Sequence, residues 1–114
     1  KSSDMMFDLL SPGMHTGITA SCSGFYAPQV RQLRLKPSRH DLIEKLTSFD
    51  YQGHKVTNFE METGAMFGLA KLLGHHCSAV NVIVANRITQ EFSKKYEETM
   101  HSLIQLTLDR LSTL

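Results

Sequence analysis

At 114 residues the chain is long enough for one small domain with a modest core and too short for two. Hydrophobic residues make up 41% and charged residues 20%, which is globular composition and excludes a disordered tail. With 12 basic against 11 acidic residues and a net charge of +1, the chain carries no electrostatic footprint for nucleic acid or an anionic membrane.

In chain order, Ser3 and Asp4 give a helix start, followed by Met5, Met6, Phe7, Leu9 and Leu10 and stopped by Pro12–Gly13. Thr16–Ala20 predicts a short strand, rich in β-branched residues. Ser21 to Pro28 is punctuated throughout by Ser, Gly and Pro and predicts a loop. A helix is expected from Ser38 as N-cap, with Asp41 in the capping-box position and Leu42, Ile43 and Leu46 on one face.

Tyr51–His54 predicts a turn. A second helix runs from near Glu62 to Leu73, with Gly74 as its C-terminal cap. Gly64 and Gly68 lie one turn apart on it and suggest close approach to a sheet. Ser78–Ala85 is almost continuously apolar, the pattern of a strand buried on both faces. A last helix is expected over Phe92–Leu111, with Tyr96, Met100, Leu103, Ile104, Leu108 and Leu111 on one stripe.

The order strand, helix, helix, strand, helix predicts an α/β fold. Two strands do not complete such a sheet, which usually has about four to six. The chain also opens at Lys1 rather than at a methionine, so it reads as a sequence entered in the middle. No apolar run approaches the length of a membrane span, and no signal-peptide pattern precedes the first helix. Cys22 and Cys77 have no metal-ligand spacing. One disulfide is open to them, but isolated thiols fit a reducing cytosol, and a cytoplasmic protein is expected.

In α/β sheets ligands gather beyond the carboxyl ends of the strands. The loop after Ala20 delivers Phe25, Gln29 and Arg31. An aromatic ring offers a stacking surface to a planar base. A Gln amide can pair with a lactam edge, and Arg can stabilise charge on a departing base. The alternative is a surface loop with a buried Phe. In Asn58-Phe59-Glu60-Met61-Glu62, just before a helix, an ionised Glu62 could accept both hydroxyls of a vicinal diol. The alternative there is a carboxylate that only complements the helix dipole. The loop after Ala85 delivers Asn86 and Arg87. His75-His76-Cys77 does not suit a metal, because adjacent residues rarely chelate one ion. No metal or cofactor site is expected.

Three stretches together resemble the nucleoside phosphorylase family, and within it the uridine phosphorylases. Gly24-Phe25-Tyr26-Ala27-Pro28-Gln29-Val30-Arg31 resembles the base-binding loop. Asn58-Phe59-Glu60-Met61-Glu62-Thr63 resembles the ribose-binding motif. Val82-Ile83-Val84-Ala85-Asn86-Arg87 resembles the last core strand and its following loop. The resemblance implies part of a three-layer mixed-sheet fold, incomplete in this chain, with residues 1–114 forming the C-terminal portion of a single domain.

It further implies that Phe25 lies near the nucleoside, that Gln29 and Arg31 bond the uracil, and that Arg31 is catalytic. Glu62 would hold the ribose hydroxyls, with Met61 packed on the sugar and Glu60 flanking it; Val84 and Ala85 would line the base pocket. The implied reaction is reversible phosphorolysis of uridine to uracil and ribose 1-phosphate, with inorganic phosphate as co-substrate and no cofactor. The implied assembly is a homo-oligomer, a hexamer by resemblance. Phosphate-binding glycine and arginine residues lie N-terminal to these motifs in the family, so the isolated chain is expected to be inactive.

Purine-specific relatives carry an acid after the last strand, whereas Val84-Ala85-Asn86-Arg87 has no carboxylate, which favours a pyrimidine. Ala27-Pro28 and Val30 depart from the family's Pro-Gly and acidic residue. The other readings are a purine phosphorylase or nucleosidase of the same fold, and a non-catalytic nucleoside-binding or assembly module.

Overall fold

The computed structural model describes every residue from Lys1 to Leu114 and divides into two compact units. One is continuous, His15–His75; the other joins Lys1–Met14 to His76–Leu114. The chain is mixed α/β with a mixed sheet, as its sequence pattern predicts.

In the continuous unit, β1 (Ile18–Ser21) lies parallel to β3 (His54–Glu60), and β2 (Asp50–Tyr51) pairs antiparallel on the other edge of β3. β-branched and aromatic residues (Ile18, Thr19, Val56, Thr57, Phe59) suit this pleated backbone. The register sets Ile18 against Val56 but Thr19 against Asn58, a bulge that skips Thr57. A Cβ on Gly17 would collide with the Thr57 side chain, so the close approach requires glycine. The expected turn at Tyr51–His54 joins β2 to β3 through Gln52 and Gly53, both left-handed at φ 53° and 83°. Positive φ at both central residues gives the twist that antiparallel strands need. Asp50 fastens the turn, accepting the Gly53 N–H at 2.8 Å and pairing with Lys55 at 3.0 Å.

Two helices complete this unit. α2 (Leu42–Ser48) starts three residues later than its capping pattern predicts. Asp41 stands at the N-cap, its carboxylate paired with Lys45 at 2.6 Å and making no side-chain capping bond to the helix. α3 (Thr63–Leu73) follows β3 directly and ends as expected at Gly74, which is left-handed at φ 74°. The His75 N–H bonds the Ala70 carbonyl at 2.9 Å and the Gly74 N–H reaches the Lys71 carbonyl at 3.4 Å, closing the helix end. Gly64 does make the expected close approach, with a Cβ there meeting Ser21 Cβ at 3.0 Å. Gly68 does not; it faces open space.

The second unit contains α1 (Asp4–Leu10), β4 (Ala85–Asn86), β5 (Glu91–Phe92) and α4 (Tyr96–Leu111). α1 begins and ends where Ser3 and Pro12–Gly13 predict. Arg110 of α4 donates to the Leu10 carbonyl and, at 2.6 Å, to the Pro12 carbonyl. A cation thereby satisfies carbonyls that the end of α1 leaves open. Leu10, 4% exposed, is the buried hydrophobic residue of the chain.

Two expectations fail in this unit. Ser78–Ala85 is not a strand; only Ala85–Asn86 pairs, antiparallel with Glu91–Phe92. An apolar run of that kind becomes a strand only with a hydrogen-bonding neighbour at its edge, and residues 78–84 have none in this unit. The last helix begins at Tyr96 rather than Phe92, because Phe92 belongs to the hairpin and Ser93 bonds the Val84 carbonyl at 2.8 Å. Of its expected stripe, Leu103 and Leu111 are half-buried while Tyr96, Met100, Ile104 and Leu108 stay exposed. The seven-residue α1, about 10 Å long, is too short to cover the rest.

Candidate functional site

Two groups of candidate residues lie in the continuous unit, one on the loop after β1 and one at the junction of β3 and α3. Both depend on how the parallel pair ends. Ser21 lies opposite Glu60, and the Cys22 N–H bonds the Glu60 carbonyl at 2.8 Å, so the loop leaves the sheet beside the start of α3.

On the loop, Ala27–Gln29 forms one short 3₁₀ turn, with Pro28 supplying a fixed φ. Val30 follows in the left-handed region at φ 59°, ψ 29°, an uncommon conformation for a β-branched residue. That reversal brings Arg31 back over the residues before it. Its guanidinium carbon sits 3.6 Å from the centre of the Phe25 ring. Its Nη1 donates to the Phe25 carbonyl at 2.6 Å and to Gln29 Oε1 at 2.5 Å. Tyr26 stacks edge-on to Phe25, with centroids 5.2 Å apart. Gln29 is buried at 4% exposure, whereas Phe25 is 49% exposed. The aromatic, amide and guanidinium groups singled out from sequence therefore form one contact cluster.

At the junction the two glutamates divide their tasks. The Glu60 carboxylate accepts four hydrogen bonds: from Ser21 Oγ, from Thr63 Oγ1 at 2.6 Å, and from the Glu62 and Thr63 N–H groups, both at 2.7 Å. Desolvation is the largest single influence on this carboxyl and pushes its pKa up. The hydrogen bonds together outweigh it and lower the pKa from 4.5 to about 2. Glu62, at the N-cap, reaches only the Met61 N–H, at 3.3 Å, and both residues are exposed. The dipole-complementing role weighed for Glu62 falls instead to Glu60, which leaves the Glu62 carboxylate open to solvent.

Ser21 and Thr63 escaped the sequence reading, although both contact Glu60. Their signal lay in the pairing of β1 with β3: once Ser21 is set opposite Glu60, its hydroxyl has a partner. Phe25 follows Cys22 by three residues, so the loop cluster begins within about 11 Å of the junction.

The remaining candidates lie in the other unit. Val84 and Ala85 line an open groove of about 520 Å³ along the β4–β5 hairpin, together with Ile83 and Phe92. Asn86 serves the hairpin turn, its side-chain oxygen accepting the Ile88 and Thr89 N–H groups at 2.9 and 3.2 Å. Cys22 and Cys77 are free thiols. No three His, Cys, Asp or Glu side chains stand together as a metal site, and no helix is long and apolar enough to cross a membrane.

Comparison with known proteins identifies the family. The family model of the phosphorylase superfamily matches residues 7–111. A uridine phosphorylase of Thermococcus kodakarensis is 38% identical over 84 residues, which is 74% of this chain and 30% of that protein. The chain thus matches about 30% of the length of that curated relative. No solved structure matches. A family match over nearly the whole chain, with the loop and junction motifs inside it, places this chain in the phosphorylase superfamily as a member of the nucleoside phosphorylase family.

Proposed function

We propose that this chain is the base- and ribose-gripping portion of a uridine phosphorylase-like pentosyltransferase, the C-terminal part of a single domain. The observation that carries the reading is the cluster of Phe25, Gln29 and Arg31, together with a junction in the same unit where Glu60 is saturated and Glu62 is open. The likeness to a protein named uridine phosphorylase supports it.

In this reading Phe25 packs against the nucleoside and Gln29 and Arg31 hydrogen-bond the uracil. The Glu62 carboxylate accepts both ribose hydroxyls, and Met61 lies against the sugar. Val84 and Ala85 line the base pocket in the assembled protein. A phosphate oxygen attacks the anomeric carbon as the glycosidic C–N bond breaks, and the bonding pair leaves with the uracil. Positive charge builds on the sugar and negative charge on the base. Fixing the ribose and placing Arg31 at the departing base lower the barrier through orientation and charge stabilisation. No cofactor enters the scheme. Phosphate is held by residues outside this chain.

The apolar surface fits a part of a larger domain. Leu72, Leu73 and Leu69 of α3 are 83%, 67% and 59% exposed, more than a finished small domain leaves open. Asn58 Nδ2 and Ser3 Oγ are buried without hydrogen-bond partners, and further strands would supply them. We place the complete protein in pyrimidine nucleoside salvage in the cytoplasm, as a homo-oligomer of hexameric type. The absence of a carboxylate in Val84–Arg87 disfavours a purine substrate.

The test is uracil release by the complete protein from uridine, with and without phosphate. Release and ribose 1-phosphate formation only with phosphate support the reading. Release without phosphate points to a nucleosidase, and binding without release points to a nucleoside-binding module.

A further inference from the structure

The hydrogen bonds at the β3–α3 junction form a closed network rather than a set of independent contacts. Ser21 Oγ donates to Glu60, lies 3.0 Å from Thr63 Oγ1, and accepts the Gly64 N–H at 2.8 Å. Thr63 gives Glu60 both its hydroxyl and its N–H, and Glu62 gives it a third donor group. Thr63, at the centre, is 8% exposed. Glycine at position 64 gives the network room, since a Cβ there would stand 3.1 Å from Ser21 Oγ and 3.0 Å from Ser21 Cβ, a tight contact from which Ser21 would have to shift.

This arrangement has a consequence for Glu62. The first N–H groups of a helix attract any nearby carboxylate. Here those of Glu62 and Thr63 are taken by Glu60, and that of Gly64 by Ser21. Glu62 is left with one long contact, to the Met61 N–H, and lone pairs free for a diol. With Glu60 neutral or shortened, Glu62 would be free to turn onto its own helix start.

We infer that Glu60, held by Ser21 and Thr63, is a positioning residue that occupies the start of α3 so that the Glu62 carboxylate faces the ligand. Glu60 itself does not grip the sugar. The inference rests on the reading of Glu62 as the ribose-binding group.

The experiment compares Glu60→Gln, Ser21→Ala and Ser21→Thr with wild type in the complete protein, by two readouts. The first is amide exchange at Glu62, Thr63 and Gly64. Exchange is expected to quicken at least about tenfold at Glu62 and Thr63 in Glu60→Gln, and at Gly64 in Ser21→Ala, with Ser21→Thr restoring protection. The second is the ratio of kcat/KM for uridine over 2′-deoxyuridine. Glu60→Gln is expected to cut that ratio about tenfold while turnover of the deoxynucleoside changes little, as for loss of a diol-specific contact.

Equal losses on both nucleosides would leave Glu60 a merely structural residue and overturn the inference. Faster exchange with an unchanged ratio would overturn it too, as would unchanged exchange. A wild-type protein with no phosphate-dependent uracil release would instead bring down the phosphorylase reading, and the inference with it.

Discussion

Replacing Glu60 by Gln keeps the side chain's shape and removes its charge, and the structure sets the expected cost. Four donors converge on that carboxylate, and its pKa stands at about 2 against 4.5 when unperturbed. That difference corresponds to about 3 kcal/mol of folding free energy before screening. The junction is partly solvated, so the expected loss is about 1–2 kcal/mol. The pH dependence has a definite sign. Because the folded-state pKa is depressed, the contribution is complete above pH 4.5 and disappears as pH falls towards 2. Urea unfolding followed by circular dichroism at pH 7, 4.5, 3 and 2 measures it. Wild type should exceed Glu60→Gln by about 1–2 kcal/mol at pH 7, and the two should converge at the acid end. A difference that stays constant over this range, or its absence at pH 7, refutes the charge-based account of the junction.

Gln29→Ala and Arg31→Ala should each lower kcat/KM for uridine about 100-fold in the complete protein, the scale of losing a well-placed donor. Kinetics unchanged in both remove the loop cluster from the site. Glu62→Ala should reduce turnover of ribonucleosides more than of their 2′-deoxy counterparts, and equal losses argue against a diol clamp. The two helix glycines should respond in opposite directions to alanine. Gly64→Ala pushes a methyl into Ser21 and should destabilise by about 1–2 kcal/mol, whereas Gly68→Ala, facing open space, should stabilise by about 0.5–1 kcal/mol. Chemical denaturation of both variants checks the pair, and the same sign in both contradicts the packing described.

The parts of the fold legible from sequence are those specified locally. α1 and α3 follow from capping and helical period together with a Pro–Gly or Gly stop, and their ends match the expectation to within a residue. β3 was hidden by its own bulge. With Thr57 skipped, Val56 and Phe59 stand three apart, and the alternation that marks a strand loses its phase. Ser78–Ala85 fails for the opposite reason. Its composition is that of a buried strand, but a strand also needs an edge to pair with, and local sequence cannot supply one.

The candidate site divides the same way. The contact among Phe25, Gln29 and Arg31 was legible because a short loop holds all three. The left-handed turn at Val30 that closes it was not, since valine carries no signal for that conformation. The exchange of roles between Glu60 and Glu62 depends on Ser21, 39 residues away from Glu60 along the chain, and emerges only once β1 and β3 are paired.

The most direct test of the account is the structure of the complete protein with uridine bound. The uracil should lie against Phe25 with Gln29 and Arg31 in hydrogen-bonding reach, while Glu62 accepts both ribose hydroxyls and Glu60 remains on Ser21 and Thr63. Uridine seated on other residues, or a Glu62 carboxylate folded back onto the start of α3, would contradict it.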